Sequence, residues 1–248
     1  MQNVFRYTIK SKLLNKNNPT DIFCDYEGKE FNIQLSEIFQ SQQYKGGRKK
    51  NAVILDVGAN IGLSVLYFKD VAKKIYAIEP NNDYYQFLMN NVSKYRNVKV
   101  FNLGLGAENG TGKLISNPGE ERMESTVARG VNTQPFQMMT IDRFFKENKI
   151  KHIDVMKIDT EGSEYPIFMS EGFKKVADKI DFIVGESHYV PDLFPEYLHD
   201  ILKDYGFKVR FLPIDNMINY FQLMGTNGKP ISKYYKVFRQ TIFEAWKE

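Results

Sequence analysis

One short segment constrains this chain more than any other. Residues 53–57, Val53-Ile54-Leu55-Asp56-Val57, form a short apolar run of the kind a strand buried on both faces requires. Gly58 and Gly62 follow at once, with Ile61, Val65 and Phe68 at helical spacing, and residues 75–79 read as the next buried strand. Strand, glycine turn, helix and strand in immediate succession predict a parallel unit whose helix packs on the sheet.

The same rhythm continues. Tyr84, Phe87, Leu88 and Val92 give a second helix an apolar face, and residues 98–102 close another unit. Further on, 141–145 reads as a short helix, 153–158 as a buried strand, 165–173 as helical and 180–184 as a strand. Phe194, Tyr197, Leu198, Ile201, Leu202 and Tyr205 line one face of a helix that Gly206 stops. Residues 207–212 and 234–238 look like terminal strands, joined through the turn dipeptide Asn227-Gly228. The expected architecture is a largely parallel sheet covered on both faces. The polar stretch 116–134 reads as a long excursion over the sheet edge, either a lid or a hairpin insertion. Residues 1–50 stand outside the alternation and are expected to form an N-terminal extension or cap, leaving 51–248 as the main domain. Within them Lys45-Gly46-Gly47-Arg48-Lys49-Lys50 reads as a solvated loop.

Composition narrows the function classes. With 248 residues, 42% apolar and 26% charged, the chain can bury an ordinary core as one domain. Cys24 is the only cysteine, which excludes an internal disulfide and Cys-rich zinc modules and suits a reducing cytoplasm. Arg6, Lys10 and Lys12 interrupt the first apolar positions, so no signal peptide is expected, and no later run is long enough to span a bilayer. A formal charge of +4 does not imply a nucleic-acid partner.

The glycine turn carries the first chemical signal. Asp56-Val57-Gly58-Ala59-Asn60-Ile61-Gly62 sits where a buried strand turns into a helix, and Gly58 and Gly62 let the backbone bend and approach a ligand. Glu79 ends the second strand, where such folds set an acid against ribose hydroxyls, and Pro80 holds it extended. A dinucleotide site wants G-x-G-x-x-G beneath a pyrophosphate, whereas here Asp56 precedes the turn. Asp56 disfavours an anion and favours a ligand with an ammonium and a sulfonium, which points to S-adenosylmethionine rather than NAD.

With these residues in view, the sequence resembles the FkbM-type methyltransferases, a branch of the class I S-adenosylmethionine-dependent enzymes. The resemblance spans about residues 53–188. It rests on the turn motif, on Ala77-Ile78-Glu79-Pro80-Asn81, on Asn102-Leu103-Gly104-Leu105-Gly106 and on Met156-Lys157-Ile158-Asp159-Thr160-Glu161-Gly162-Ser163-Glu164. It implies a Rossmann-like three-layer α/β/α sandwich with a mostly parallel seven-stranded sheet, the last strand antiparallel. It also implies Gly58, Asn60 and Gly62 against the methionine part, Glu79 on the ribose, Asn102 or Leu103 near the adenine, and O-methylation of a sugar, polysaccharide precursor or secondary metabolite.

Lys157, Asp159 and Glu161 run from a strand end into a loop, and Glu186 and His188 end the neighbouring strand, where open α/β sheets bind ligands. Asp159 is read as a cofactor or catalytic residue. His188 is the best general base, since an ordinary imidazole titrates near neutrality. Glu164 is read as favouring the start of the next helix, and Tyr189 is the first aromatic to test as an acceptor platform. Magnesium would suit the oxygen donors, but acids beside a cationic cofactor need no metal, so a metal-free site is expected. The expected partner is a small-molecule or carbohydrate acceptor, with oligomerisation possible through the N-terminal extension. Three rival readings are a nicotinamide-dependent Rossmann oxidoreductase, a nucleic-acid methyltransferase, which the absence of an Asn/Asp-Pro-Pro-Tyr motif and of a strongly basic face disfavours, and a non-catalytic S-adenosylmethionine-binding protein.

Overall fold

A computed structural model describes residues 4–9, 20–116, 132–188, 190, 195–212 and 240–247. The expected alternation is present. β3 (Ala52–Val57), α2 (Leu63–Phe68), β4 (Ala72–Ile78), α3 (Asn82–Val92) and β5 (Val98–Phe101) follow an N-terminal hairpin of β1 (Phe5–Ile9) and β2 (Thr20–Cys24) and helix α1 (Gly28–Leu35). β6 (Gly104–Leu105), β7 (Gly110–Ser116) and β8 (Asn132–Met139) come next, then α4 (Ile141–Glu147), β9 (Val155–Ile158), α5 (Glu164–Phe168), α6 (Glu171–Lys174) and β10 (Phe182–His188). α7 (Pro195–Asp204), β11 (Lys208–Leu212) and β12 (Gln240–Trp246) complete the described elements.

Seven strands form the main sheet in the order β11-β12-β10-β9-β3-β4-β5. β10, β9, β3, β4 and β5 pair in parallel, and β12 is antiparallel to both β10 and β11. The last strand in the chain is therefore the antiparallel one, and it lies one place inside the sheet edge. The strand expected at 234–238 falls outside the described residues, and the place in the sheet belongs to Gln240–Trp246. The arms of the 116–134 excursion pair as a hairpin, Ser116 opposite Asn132, while 117–131 lie outside the described residues.

Alternation along each strand divides the core into two layers. Leu55, Val57, Tyr76, Ile78, Met156, Ile158 and Ile183 pack on one face with α4, α5 and α7 residues such as Phe144, Phe168 and Leu198. Ile54, Ile75, Ala77, Val155 and Val184 face the other way, onto α2, α3 and the N-terminal residues Ile22, Phe31 and Tyr44. Residues 45–47 lie on this second face, with Gly47 buried against Val155 and Val184, so the basic stretch begins against the sheet rather than in solvent.

Local signals account for the boundaries. The Asn81 side chain caps α3 by accepting from the N–H groups of Asp83 and Tyr84. Gly206, at φ 82°, ends α7, and its N–H donates to the Lys203 carbonyl at 2.8 Å. Of the apolar face read for α7, Leu198 and Leu202 are fully buried, but Tyr197 is 51% exposed and Phe194 lies outside the described residues. A phenol tolerates a half-exposed place at the margin of a core better than a leucine does.

Candidate active site

The turn after β3 is built by the protein's own packing. The N–H groups of Gly58 and Ala59 both donate to the Ile78 carbonyl, at 3.0 and 2.9 Å, which ties the turn to the end of β4. Gly58, Asn60 and Gly62 all have left-handed backbones, at φ 75°, 48° and 94°. A Cβ on Gly58 would overlap the Asp159 carbonyl oxygen, and one on Gly62 would come within 2.8 Å of Leu88 Cδ1. These glycines thus answer first to backbone sign and to neighbouring strand and helix. Asn60 tolerates the left-handed region, and its Oδ1 accepts from the Ile61 N–H at 2.7 Å and from the Tyr26 hydroxyl at 2.9 Å.

Glu79 lies beneath this turn, almost fully buried. Its Oε2 accepts from the Asn60 N–H and its Oε1 from the Asn81 N–H, both at 2.8 Å. Burial pushes the carboxyl up to about 7 despite these two donors. Each oxygen keeps a second lone pair, so the carboxylate still has acceptor capacity for a diol. Asn102 supports the same corner, donating from Nδ2 to the Glu79 carbonyl at 3.0 Å. Asp56 does not line the cavity. It is fully buried behind the turn, accepting from the Ser64 hydroxyl at 2.6 Å and lying 3.3 Å from Lys157 Nζ. Lys157 also donates to the Gly58 carbonyl at 2.6 Å, so the charge on Asp56 is answered inside the protein.

The second group of side chains follows from strand register. Val155 and Val184 face the N-terminal layer, so Lys157 on β9 and Glu186 and His188 on β10 emerge on that same face as the strands run out. Asp159 follows β9 directly. Tyr44, 1% exposed, donates its hydroxyl between Asp159 Oδ2 at 3.1 Å and Glu186 Oε1 at 3.3 Å. Gln43 Nε2 donates to Glu186 Oε1 at 2.9 Å. His188, 4% exposed, pairs through Nδ1 with Glu164 Oε1 at 3.1 Å. Its Nε2 faces Glu161 Oε2 at 3.5 Å and Asp159 Oδ1 and Glu186 Oε2 at 3.8 Å.

This crowding sets the protonation. Burial works against charge on His188, but Glu164, Glu161 and Asp159 outweigh it and hold the imidazole well above 6.5. The near-neutral titration expected of an ordinary imidazole is therefore shifted upward by its acidic neighbours. Burial and then Asp159 push Glu186 up to about 8 and Glu37 up to about 6. Burial likewise opposes ionisation of Glu164, yet His188 and the Thr160 N–H hold it below the usual range. Glu164 also accepts from the N–H groups of Thr160 and Gly162, at 2.7 and 3.0 Å, just ahead of α5. Its place at a helix start is as expected; its pairing with His188 is additional.

Above these groups is a cavity of about 170 Å³ bordered by Glu37, Gln43, Tyr44, Asn60, Asp159 and Glu186. Residues 56–209 match the family described as the Methyltransferase FkbM domain, well over half of the chain. The chain belongs to the FkbM methyltransferase family.

FkbM membership makes the protein an S-adenosylmethionine-dependent methyltransferase and removes the nicotinamide oxidoreductase alternative. Among solved structures, the methyltransferase FkbM from Methylobacillus flagellatus KT aligns with TM-score 0.49 and 17% identity, covering 79% of this chain and 44% of that one. Precorrin-6y C5,15-methyltransferase from Geobacter metallireducens GS-15 aligns with TM-score 0.48 and 15% identity over 85% and 88% of the two chains. Aeropyrum pernix fibrillarin, with natively bound S-adenosyl-L-methionine, gives 0.46 and 11% over 80% and 68%. Among curated protein sequences, none matches this chain.

On this FkbM frame the sequence-derived residues fall into three places. Gly58, Asn60 and Asp159 border the cavity. Glu79, Gly62 and Asn102 support the turn from beneath or beside it. Asp56 and His188 are buried behind the lining, joined to it through Lys157 and through the acids respectively. Tyr189 lies outside the described residues. The residues that sequence reading missed are Glu37, Gln43 and Tyr44, all in the N-terminal segment. An apolar-rich stretch before the first core strand signals burial there, but nothing local signals that its polar groups meet acids more than 100 positions away, as Tyr44 meets Asp159.

Proposed function

We propose that this FkbM protein methylates a hydroxyl oxygen on a small, uncharged, polyhydroxylated acceptor such as a sugar, polysaccharide precursor or secondary metabolite. The observation that carries this reading is the carboxylate lining of the cavity by Glu37, Asp159, Glu161 and Glu186. Phosphodiesters would meet like charge there, whereas hydroxyl groups find acceptors at hydrogen-bond range. When bound, S-adenosylmethionine supplies a methyl group already activated on sulfur. In this proposal Glu79 accepts from the ribose diol, Gly58, Asn60 and Gly62 form the turn against the methionine part, and Asn102 borders the adenine. Asp56 steadies that turn through Lys157. Asp159 stands between cofactor and acceptor, and His188 stands on the acceptor side, where Glu164 fixes its ring.

Titration calorimetry of the purified protein with S-adenosylmethionine and, separately, NADH tests the cofactor half, repeated on Glu79→Ala. Selective binding of S-adenosylmethionine that weakens in the variant supports it. Transfer of labelled methyl to a panel of sugars and to RNA then tests the acceptor half. Label on RNA and none on sugars would overturn the acceptor class, and cofactor binding without transfer to any acceptor would favour a non-catalytic binding protein.

A further inference from the structure

Among the described residues, two histidines sit in groups of acids close enough to share one ion, and they differ in a telling way. His152 stands with Asp154 and Asp181, is about half exposed, and its Nε2 already bonds Asp181 Oδ2 at 2.9 Å. His188 stands with Asp159 and Glu161, each group offering one ligand atom within 4.8 Å of the others. Here Nε2 makes no hydrogen bond to a described residue. It belongs to a ring that is 4% exposed, and the facing oxygens stand off at 3.5 to 3.8 Å.

The surroundings fix the direction in which that nitrogen points. Glu164 is fully buried and held by two backbone N–H groups and the Thr160 hydroxyl, and it takes the Nδ1 side of the ring. A carboxylate behind Nδ1 is the usual outer support of a metal-bound histidine, because it sets the tautomer that leaves Nε2 as donor to the ion. Tyr44 and Gln43 do the corresponding work on the acids. They bind Asp159 Oδ2 and Glu186 Oε1, which leaves Asp159 Oδ1 and Glu186 Oε2 turned toward His188 Nε2.

We infer that Asp159, Glu161 and His188 form a divalent-cation site at the acceptor end of the cavity, of a kind suited to mixed oxygen and nitrogen donors. An ion about 2.1 Å from each donor sets neighbouring donors about 3 Å apart at right angles. The separations from Nε2 exceed this by less than an ångström, so small side-chain rotations close the site as the ion displaces the Nε2 proton to solvent. Lys157 bonds the Gly58 carbonyl and pairs with Asp56 at 3.3 Å, and it reaches Asp159 only on the Oδ2 side, at 3.7 Å, which leaves Oδ1 toward His188. Three protein ligands leave coordination positions open toward the cavity, where acceptor oxygens would bind. The inference rests on the proposed methyl transfer only for naming that acceptor. It departs from the metal-free site expected from sequence because the stand-off at Nε2 and the support behind Nδ1 are both products of the fold.

The test is Mn²⁺ binding to the full chain after chelation and dialysis, read from the loss of the free-ion electron paramagnetic resonance signal, with Zn²⁺ as competitor. One ion per chain is expected. Asp159→Asn, His188→Ala and Glu161→Gln should each weaken binding at least about tenfold, and Glu164→Gln about 10- to 100-fold through loss of orientation. Glu161 is partly exposed, so its variant keeps the test valid if His188→Ala does not fold. Absence of binding at millimolar Mn²⁺ or Zn²⁺, or binding that Glu161→Gln and Asp159→Asn leave unchanged, overturns the site. Cofactor affinity measured without metal on the same samples separates this outcome from failure of the cofactor assignment.

Discussion

Thermal stability should fall as pH rises from 5 to 8, opposite to the trend of a protein stabilised by paired surface carboxylates. Glu79 is raised from 4.5 to about 7, so between those values the native state holds a proton that the unfolded chain has released. A raised native pKa contributes stability that is present below the unfolded value and is lost as pH climbs through the native one. Integrating this for Glu79 alone, from pH 5 to pH 8, gives a loss of about 2 kcal/mol. For a chain of this size that lowers the melting temperature by roughly 4–8 °C. Glu186, raised to about 8, acts in the same direction over this range, and His188, held well above 6.5, joins it in the upper half. Glu164 is held below 4.5, so its opposite contribution lies at more acid pH. Scanning calorimetry at fixed ionic strength reads the slope directly, and Glu79→Gln should flatten it by the Glu79 share. A melting temperature that rises across pH 5–8, or an unchanged slope in Glu79→Gln, would refute the reasoning.

Tyr44→Phe removes the hydroxyl shared by Asp159 and Glu186 and should destabilise the fold by about 1–3 kcal/mol, visible as a lower denaturation midpoint. Gly58→Ala combines a left-handed backbone with overlap on the Asp159 carbonyl and should cost about 3 kcal/mol or more, seen as poor soluble yield or an early melt. His188→Ala should lower turnover by about 10²-fold or more while S-adenosylmethionine affinity, measured by calorimetry, stays near wild type; full turnover with lost affinity would place the histidine at the cofactor instead.

The parallel sheet was legible because strands buried on both faces read as apolar runs, as Val53 to Val57 does. The turn was legible because its chemistry is local: Gly58, Asn60 and Gly62 all need left-handed backbones within a single bend. β12 was not read, since Gln240 and Glu244 interrupt its apolar residues; Glu244 is buried there because Arg210 on β11 pairs with it, a partner 34 positions away. Tyr197 was assigned to the apolar face of α7 by spacing alone, although a phenol can sit at the margin of a core and remain half in water. Tyr44 and Gln43 escaped notice for the reason that applies to long-range polar contacts generally. Period and composition report which face a residue takes, and they carry no information on which buried acid waits there.

Strand register then explains why the charges gather at one place. Along the face that receives the N-terminal segment, β10 proceeds from Val184 to Glu186 to His188, and β9 from Val155 to Lys157, with Asp159 just beyond. Apolar residues hold the layer together until the strands run out, and the next positions on that face are ionisable. The N-terminal segment covers them with neutral donors, Tyr44 and Gln43, which satisfy oxygens without cancelling charge. Lys157 answers Asp56 and reaches Asp159 Oδ2 at 3.7 Å, and Glu164 answers His188, while Asp159, Glu161 and Glu186 all face one imidazole nitrogen. Removing such acids from water is costly unless positive charge is close by. The fold therefore creates at the strand ends a demand for cations that, in the proposed reading, a bound sulfonium would meet from one side and a divalent ion from the other.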